Sequence, residues 1–326
     1  MFEHTLMEEV DMSDKKIIAV VGATGAQGGS LVQAILADTT GAFGVRAITR
    51  DVNSEKAKAL AAAGAEVVAA DVNDEASIAT ALEGAYGAFF VTFFWDHFSP
   101  ATEKQHARNM AAAAKTAGVK HVIWSSLEDT RQWIPVSDDR MPTLQGEYKV
   151  PHFDAKGESN AFFTDLGLPV TILNTCFYWE NFIYFGVGPT RGEDGTLALN
   201  LPMADSRLPG IAVQDIGKTA FAIFKDPSTI GKTISIAGEH LTGQQMADAM
   251  SKAIGDTVVY NAIPPAVYRS FGFPGADDMG NMFQFKAEFE AEYAGARDLD
   301  VVRTLNPELQ SFDAWLQQNG SKIPVS

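Results

Sequence analysis

Two spacings in this chain could do chemistry. The first is Gly22-Ala23-Thr24-Gly25-Ala26-Gln27-Gly28-Gly29, which follows the apolar β-branched run at 17–21 and precedes Leu31, Ala34 and Ile35 at helical spacing. Strand, glycine turn and helix in that order form a cradle for a dinucleotide pyrophosphate. Gly22 permits the tight turn, Gly25 lets the backbone approach the phosphates, and Gly28 lets the helix pack close to the sheet. The freed N–H groups and the helix dipole then face the anion. No Gly-Lys-Ser/Thr follows, so a P-loop is excluded. The alternative is a tight turn with no ligand. The second spacing is His152-x-x-x-Lys156, which places an imidazole and an ammonium one turn apart on one helix face, with Ser125 and Ser126 upstream.

The next strand ends Ile48-Thr49-Arg50, with no acid at Thr49 to hold ribose hydroxyls. Arg50 supplies a guanidinium suited to a bidentate grip on a 2′-phosphate, so NADP(H) is favoured over NAD(H) as cofactor. Asp51 comes one residue late and reads as loop. The alternative is an Arg50 that only faces solvent.

These residues need elements to position them, and the pattern supplies a regular set. Strand-like runs at 17–21, 45–48, 66–69, 88–92, 120–124 and 170–173 alternate with helical stretches at 30–36, 54–63, 75–82, 101–117 and 151–166. Continuous apolar strands separated by helices predict an α/β fold, a Rossmann-like doubly wound parallel sheet. Beyond Leu173 the rhythm changes. Asp215 is expected to cap a helix over 216–225, strands are expected at 233–237 and 258–263, and helices at 246–254, 279–293 and 312–318. The expected organisation is an acidic, flexible leader at 1–14, a cofactor-binding domain at 15–174, and a smaller α/β region at 175–326 that completes the pocket.

Composition removes other classes. The 326 residues carry a formal net charge of −16 with no Lys/Arg cluster, so direct binding to a polyanion such as nucleic acid is not expected. Cys176 is the single cysteine, which excludes an internal disulfide and points to a reducing, cytoplasmic setting. The longest apolar run, 86–95, is about half of a membrane span, and neither a bilayer crossing nor a secretory signal is expected. The six histidines show no zinc spacing, so no metal is expected, and no Gly-x-Ser-x-Gly elbow is present.

With these residues in view, the chain resembles the NmrA-like family of atypical short-chain dehydrogenase relatives, and within it the NADPH-sensor branch. The resemblance runs from Lys16 to about Asn319. It is carried by the glycine turn, by the segment ending at Arg50, by Gly64-Ala65-Glu66-Val67-Val68 with Asp71, and by Trp124-Ser125-Ser126-Leu127-Glu128. More specific are His152-Phe153-Asp154-Ala155-Lys156-Gly157-Glu158, Tyr178-Trp179-Glu180-Asn181 and Gly272-Phe273-Pro274-Gly275. The resemblance implies that Gly22, Ala23, Thr24, Gly25, Ala26 and Gln27 hold the pyrophosphate. Arg50 with the loop through Asp51 to Ser54 would hold the adenosine phosphate, with Asp71 and Val72 near the adenine. Thr92, Phe93 and Phe94 would pass beneath the dinucleotide, Lys156 would reach the nicotinamide ribose, and Tyr178, Trp179, Glu180 and Asn181 would close over the nicotinamide. The chain departs from the sensor branch at Gln105, where a cofactor-proximal lysine is expected, and at Asn174, where an arginine is expected.

Short-chain dehydrogenases place Tyr-x-x-x-Lys where this chain has His152-x-x-x-Lys156, so the usual tyrosine is missing. His152 could replace it as general acid, with Lys156 and Ser126 beside it. Alternatively Lys156 only binds ribose and His152 does no chemistry. The first alternative implies an NADPH-dependent reductase of a carbonyl, enone or quinone. The second implies an NADP(H)-binding redox sensor whose liganded states differ toward a partner, and the missing tyrosine favours it. The partner is left open between a small molecule, a protein and a second copy of the chain.

Overall fold

The computed structural model describes residues 15–325, so the leader expected at 1–14 lies outside the described residues. β1 (Lys16–Val21) runs buried into the glycine turn, and α1 (Ala26–Leu36) leaves it directly. The alternation continues through β2 (Phe43–Thr49), α2 (Glu55–Ala62), β3 (Glu66–Ala69), α3 (Glu75–Ala81) and β4 (Gly87–Phe90). It then passes through α4 (Pro100–Ala117), β5 (His121–Ser126), α5 (Pro151–Thr164) and β6 (Val170–Asn174). Every residue of β4 and β5 is buried, as parallel strands covered by helices on both faces must be. The helices start where capping chemistry allows. Ser54 accepts the Ala57 N–H, Asp74 those of Ala76 and Ser77, and Ser99 that of Thr102 beside Pro100.

After β6 come β7 (Phe177–Tyr178), α6 (Asn181–Tyr184), β8 (Thr190–Arg191), β9 (Leu197–Leu201), β10 (Arg207–Ile211) and α7 (Val213–Lys225). They are followed by β11 (Thr233–Ser235), β12 (Glu239–Thr242), α8 (Gly243–Ile254), β13 (Val258–Ala262) and α9 (Pro265–Arg269). The chain closes with α10 (Ala276–Glu288), α11 (Glu290–Gly295), α12 (Leu299–Leu305) and α13 (Phe312–Asn319). Seven parallel strands form one sheet in the order β11-β6-β5-β4-β1-β2-β3, which is the Rossmann-like doubly wound arrangement. Two three-stranded sheets, β12-β10-β7 and β13-β9-β8, build the smaller region.

The layers do not divide at residue 174. β11 pairs in parallel with β6, Ile234 opposite Leu173. α7 lies so close on α1 that a Cβ on Gly217 would fall 2.3 Å from the Ser30 carbonyl carbon. Residues 213–235 thus complete the first sheet and its helix layer, because β6 would otherwise be an open edge and the apolar face of α1 uncovered. Val20, Leu31 and Val32 accordingly share one core with Ile216, Ala220 and Phe224.

Two local expectations are also corrected. Asp215 sits inside the first turn of α7, whose N-cap is Ala212. Its buried carboxylate instead accepts from Asn306 Nδ2 at 2.9 Å and Gln310 N at 3.0 Å, tying down the C-terminal segment. The helix expected over 279–293 breaks at Phe289, whose backbone (φ −116°, ψ 38°) leaves the helical region before α11 begins. No helix among the described residues is long and apolar enough to cross a membrane.

Candidate functional site

The carboxyl ends of β1 and β4 meet where the strand order reverses, which is where open α/β sheets bind ligands. A cleft of about 480 Å³ lies there, lined among others by Gly22, Gly25, Arg50, Val72, Thr92 and Phe93. Gly22 has φ +73°, and a Cβ there would meet Val91 Cγ1 at 2.9 Å. A Cβ on Gly28 would fall 2.3 Å from the Gly22 carbonyl oxygen, so α1 can start against the turn only because residue 28 has no side chain. Gly25 is the N-cap and offers no side-chain acceptor, so the first N–H groups of α1 are left for an anion. Ala23 is buried behind the turn, while Thr24 lines the cleft and Ala26 is exposed at the helix start. The cradle therefore fits a pyrophosphate.

At the adenosine end, the Arg50 side chain is 75% exposed and lies 3.8 Å from Asp96 Oδ2, a loose pair that leaves its donors available. Asp51 and Ser54 shape the loop after it. Asp51 Oδ1 accepts the Asn53 N–H at 2.8 Å, and Ser54 Oγ donates to the Asp51 carbonyl at 3.0 Å. The Asp71 carboxylate is turned onto Asn73, whose hydrogen bonds lower its pKa.

The opposite end is built around α5. Lys156 Nζ lies 2.8 Å from Glu103 Oε1 and donates to both the hydroxyl and the carbonyl of Thr92. Burial alone would raise the Glu103 carboxyl, but the Lys156 ammonium and the surrounding hydrogen bonds outweigh it and hold it at about 2. His97 Nε2 approaches the other Glu103 oxygen at 3.3 Å without hydrogen-bond alignment. Glu103 was not singled out in the sequence, although a signal exists: it occupies the same helical stripe as the buried Ala107, Met110, Ala111 and Ala114. A carboxylate on an apolar stripe needs a buried cation.

One turn before Lys156, His152 Nδ1 lies 2.6 Å from Asp278 Oδ1, and the His152 N–H donates to Asp278 Oδ2 at 3.2 Å. Asp278 comes from α10, whose N-cap Gly275 has φ +84°. A Cβ on Gly275 would meet the Trp95 ring at 2.7 Å. The Gly272-Phe273-Pro274-Gly275 segment thus seats α10 against Trp95, whose ring lies 4.8 Å from that of His152. Nothing in the sequence links Asp278 to His152. The neighbouring Asp154 has a structural role: its buried carboxylate accepts the N–H groups of Thr130, Lys149 and Val150 and fixes the loop entering α5.

Several expected residues face elsewhere. Ser126 Oγ donates to Asn160 Oδ1 at 2.7 Å and toward the Lys156 carbonyl, whereas Ser125 Oγ reaches the glycine turn through Gln27 Oε1 at 2.7 Å. Gln27 Nε2 donates to the Tyr178 hydroxyl at 2.5 Å, which ties Tyr178 to the cofactor cradle. Asn181 is half-buried at the start of α6. Phe94 is buried against Trp95, Phe98 and His152 and does not line the cleft. Trp179 does not close over the nicotinamide end. Its ring packs against Phe312 and Trp315, because an indole buries more apolar area in that core than over an open cleft. Glu180 turns the same way, accepting from the Val213 N–H at 3.0 Å and from Trp315 Nε1 at 3.0 Å. Gln105 donates to Asn109 Oδ1, while its neighbour Lys104 pairs with Glu158 at 2.7 Å.

The profile of the NmrA-like family matches residues 14–316. The chain is 30% identical over 293 residues to an NmrA-like family domain-containing oxidoreductase, FrzB of a Cladobotryum species, spanning 82% of this chain and 83% of that one. Its fold matches the negative transcriptional regulator NmrA in complex with NADP at a TM-score of 0.74 and 25% identity, covering 94% of this chain and 95% of that one. It also matches an NADPH-dependent quinone oxidoreductase of Escherichia coli at a TM-score of 0.69 and 25% identity, covering 93% and 98%.

Proposed function

This chain belongs to the NmrA-like family, and on that premise we propose that it is an NADP(H)-dependent reductase of a carbonyl, enone or quinone. The observation that carries this reading is the buried His152–Asp278 pair one helical turn from Lys156. Such a pair supplies the proton donor that the missing tyrosine would otherwise provide. The oxidoreductase and quinone reductase relatives support the same reading.

Gly22 to Gln27 would hold the pyrophosphate on the first turn of α1, and Arg50 the 2′-phosphate, with Asp51 and Ser54 keeping its loop in shape. Val72 and Asp71 flank the adenine side, and Thr92 and Phe93 form the floor. Lys156 reaches the ribose, and Tyr178 with Asn181 borders the nicotinamide end. When bound, the nicotinamide supplies a hydride to the acceptor carbon. Asp278 holds His152 Nδ1, which fixes the orientation of the imidazole, so that Nε2 is the nitrogen that would deliver a proton to the developing oxyanion. Lys156, held in place by Glu103, presents its N–H groups on the same helix face as a hydrogen-bond donor.

The test is NADPH oxidation by purified protein against quinones, enones and aldehydes, with Lys156→Ala and His152→Phe alongside. Turnover that both variants lose supports the reductase. A second reading is favoured by Lys156 itself, whose ammonium is already satisfied by Glu103 and Thr92, and by the likeness to a regulator. In that reading the protein reports cofactor occupancy to a protein partner. NADPH bound more tightly than NADH, with no acceptor consumed, would replace the first reading with the second.

A further inference from the structure

Two imidazoles, His97 and His106, line the cofactor cleft. They stand edge to face, with ring centroids 5.4 Å apart. His97 is committed within the protein: its Nδ1 accepts the Ser99 N–H at 3.1 Å, and its Nε2 faces Glu103. His106 is committed on one side only. Its Nε2 lies 3.0 Å from Asn73 Oδ1. Its Nδ1 makes no hydrogen bond with any described residue and is not sealed from solvent, so it opens to the cleft that the ring lines.

The loop after β3 decides which nitrogen of His106 carries the hydrogen. Asn73 donates twice to Asp71 Oδ1, from its backbone N–H and from Nδ2, each at 2.9 Å. Because Nδ2 is spent on a carboxylate, the group that Asn73 turns to His106 is its carbonyl oxygen, which can only accept. His106 Nε2 therefore carries the hydrogen and Nδ1 the lone pair. Burial pushes the His106 pKa below its ordinary 6.5, with His97 and Arg50 adding to the effect and Glu103 and Asp71 opposing it. The imidazole is thus neutral at pH 8, and Nδ1 is an acceptor. The cleft around it is shaped for a base: Ile48, Val72 and Ile78 supply apolar walls, and Arg50, suited to the 2′-phosphate, lines the same cleft. Other acceptors nearby are turned away or occupied. Asp71 does not line the cleft, and the Val72 carbonyl takes Asn109 Nδ2 at 2.9 Å. His106 Nδ1 is left open to a ligand.

We propose that His106 Nδ1 accepts the 6-amino N–H of the cofactor's adenine and so makes the cleft selective for adenine over a 6-oxopurine. The inference rests on the reading of the cleft as a dinucleotide site and extends it from the phosphate to the base. Adenine offers a donor at its 6-amino group, whereas hypoxanthine offers an acceptor oxygen there. A 6-oxo group in that place sets two lone pairs against each other and leaves Nδ1 without a partner.

The experiment is isothermal titration of the full chain at pH 8 with NADP⁺ and with its deamino analogue, in which hypoxanthine replaces adenine. The expected result is NADP⁺ bound about tenfold or more tighter than the analogue. His106→Phe keeps an aromatic ring on the wall and removes the acceptor. It should weaken NADP⁺ by about that factor, leave the analogue nearly unchanged, and so bring the two affinities together. Equal binding of the two dinucleotides by the unmodified protein would overturn the proposal, and that comparison needs no variant to fold. A His106→Phe variant that weakens both alike and keeps the preference would make the histidine a support for the Asn73 loop and overturn it too. Binding of neither dinucleotide would overturn the proposal together with the cofactor reading, whereas equal binding leaves that reading standing.

Discussion

Glu103 Oε1 and Lys156 Nζ lie 2.8 Å apart, the carboxylate fully buried and the lysine side chain 11% exposed. One comes from α4 and the other from α5, so this ion pair joins two helices on the same side of the sheet. It also fixes the ammonium beside Thr92, at the carboxyl end of β4. Removing one member of a buried pair strands the other charge, a loss of about 3–5 kcal/mol. Glu103→Gln is therefore expected to lower urea stability by that order, and the double variant Glu103→Gln, Lys156→Met to recover most of it. Because the folded Glu103 sits at about 2 against an ordinary 4.5, its contribution is fully present above pH 4.5 and is lost as the pH falls toward about 2. A gap between wild type and Glu103→Gln that stays constant from pH 6 to pH 2.5 would count against the pairing.

Asp278→Asn keeps the size of the side chain and removes the charge behind His152 Nδ1. General acid catalysis contributes about 10²–10⁴-fold, so this variant should lose at least about tenfold in kcat while binding NADPH as before. Equal losses in kcat and in NADPH affinity would mean that the aspartate only seats α10.

The exposed Arg50 guanidinium is expected to set the cofactor choice. Hydrogen bonds to a charged group are worth about 1.5–3 kcal/mol, which is about 10- to 150-fold. Fluorescence titration of Arg50→Ala should weaken NADPH by that factor and leave NADH nearly unchanged. Equal weakening of both would show that Arg50 reads something other than the 2′-phosphate.

Two glycine substitutions should separate packing from conformational freedom. Gly28→Ala drives a methyl into the Gly22 carbonyl at 2.3 Å, whereas a Cβ on Gly295 meets nothing within 4 Å. Thermal unfolding should show a loss of several degrees and of NADPH binding for the first, and a small gain for Gly295→Ala, of about 0.4–1 kcal/mol. Wild-type behaviour of Gly28→Ala would mean that the turn can shift.

His121 gives a second acid-sensitive contribution. It is buried at the start of β5, and its ring lies 3.0 Å from Thr171 Oγ1. Burial pushes its pKa from 6.5 down to about 4. The unfolded chain therefore takes up a proton that the folded chain refuses. Stability is whole above pH 6.5 and falls as the pH drops toward about 4, by on the order of 3 kcal/mol. Urea midpoints for wild type and His121→Asn should converge across that range, and parallel curves would show that His121 does not carry the slope.

Much of this was legible along the chain. The glycine turn, the alternating strands and helices and the His152-x-x-x-Lys156 spacing are local, because each depends on residues within one or two turns of each other. Sequence therefore determined the parallel sheet, the cradle at the start of α1 and the helix face bearing Lys156. What the tertiary structure decided is which distant groups meet there. Asp278 reaches His152 only because Gly275 lets α10 pack on Trp95, and Glu103 reaches Lys156 only because α4 and α5 share a layer. Trp179 and Glu180 turn into the C-terminal core for the same reason, since the partners that bury them, Phe312 and Trp315, lie far along the chain. The end of the sheet was likewise hidden: β11 joins β6 through backbone hydrogen bonds, which carry almost no side-chain signature. Periodicity reports the face a residue presents, and only packing decides what that face will touch.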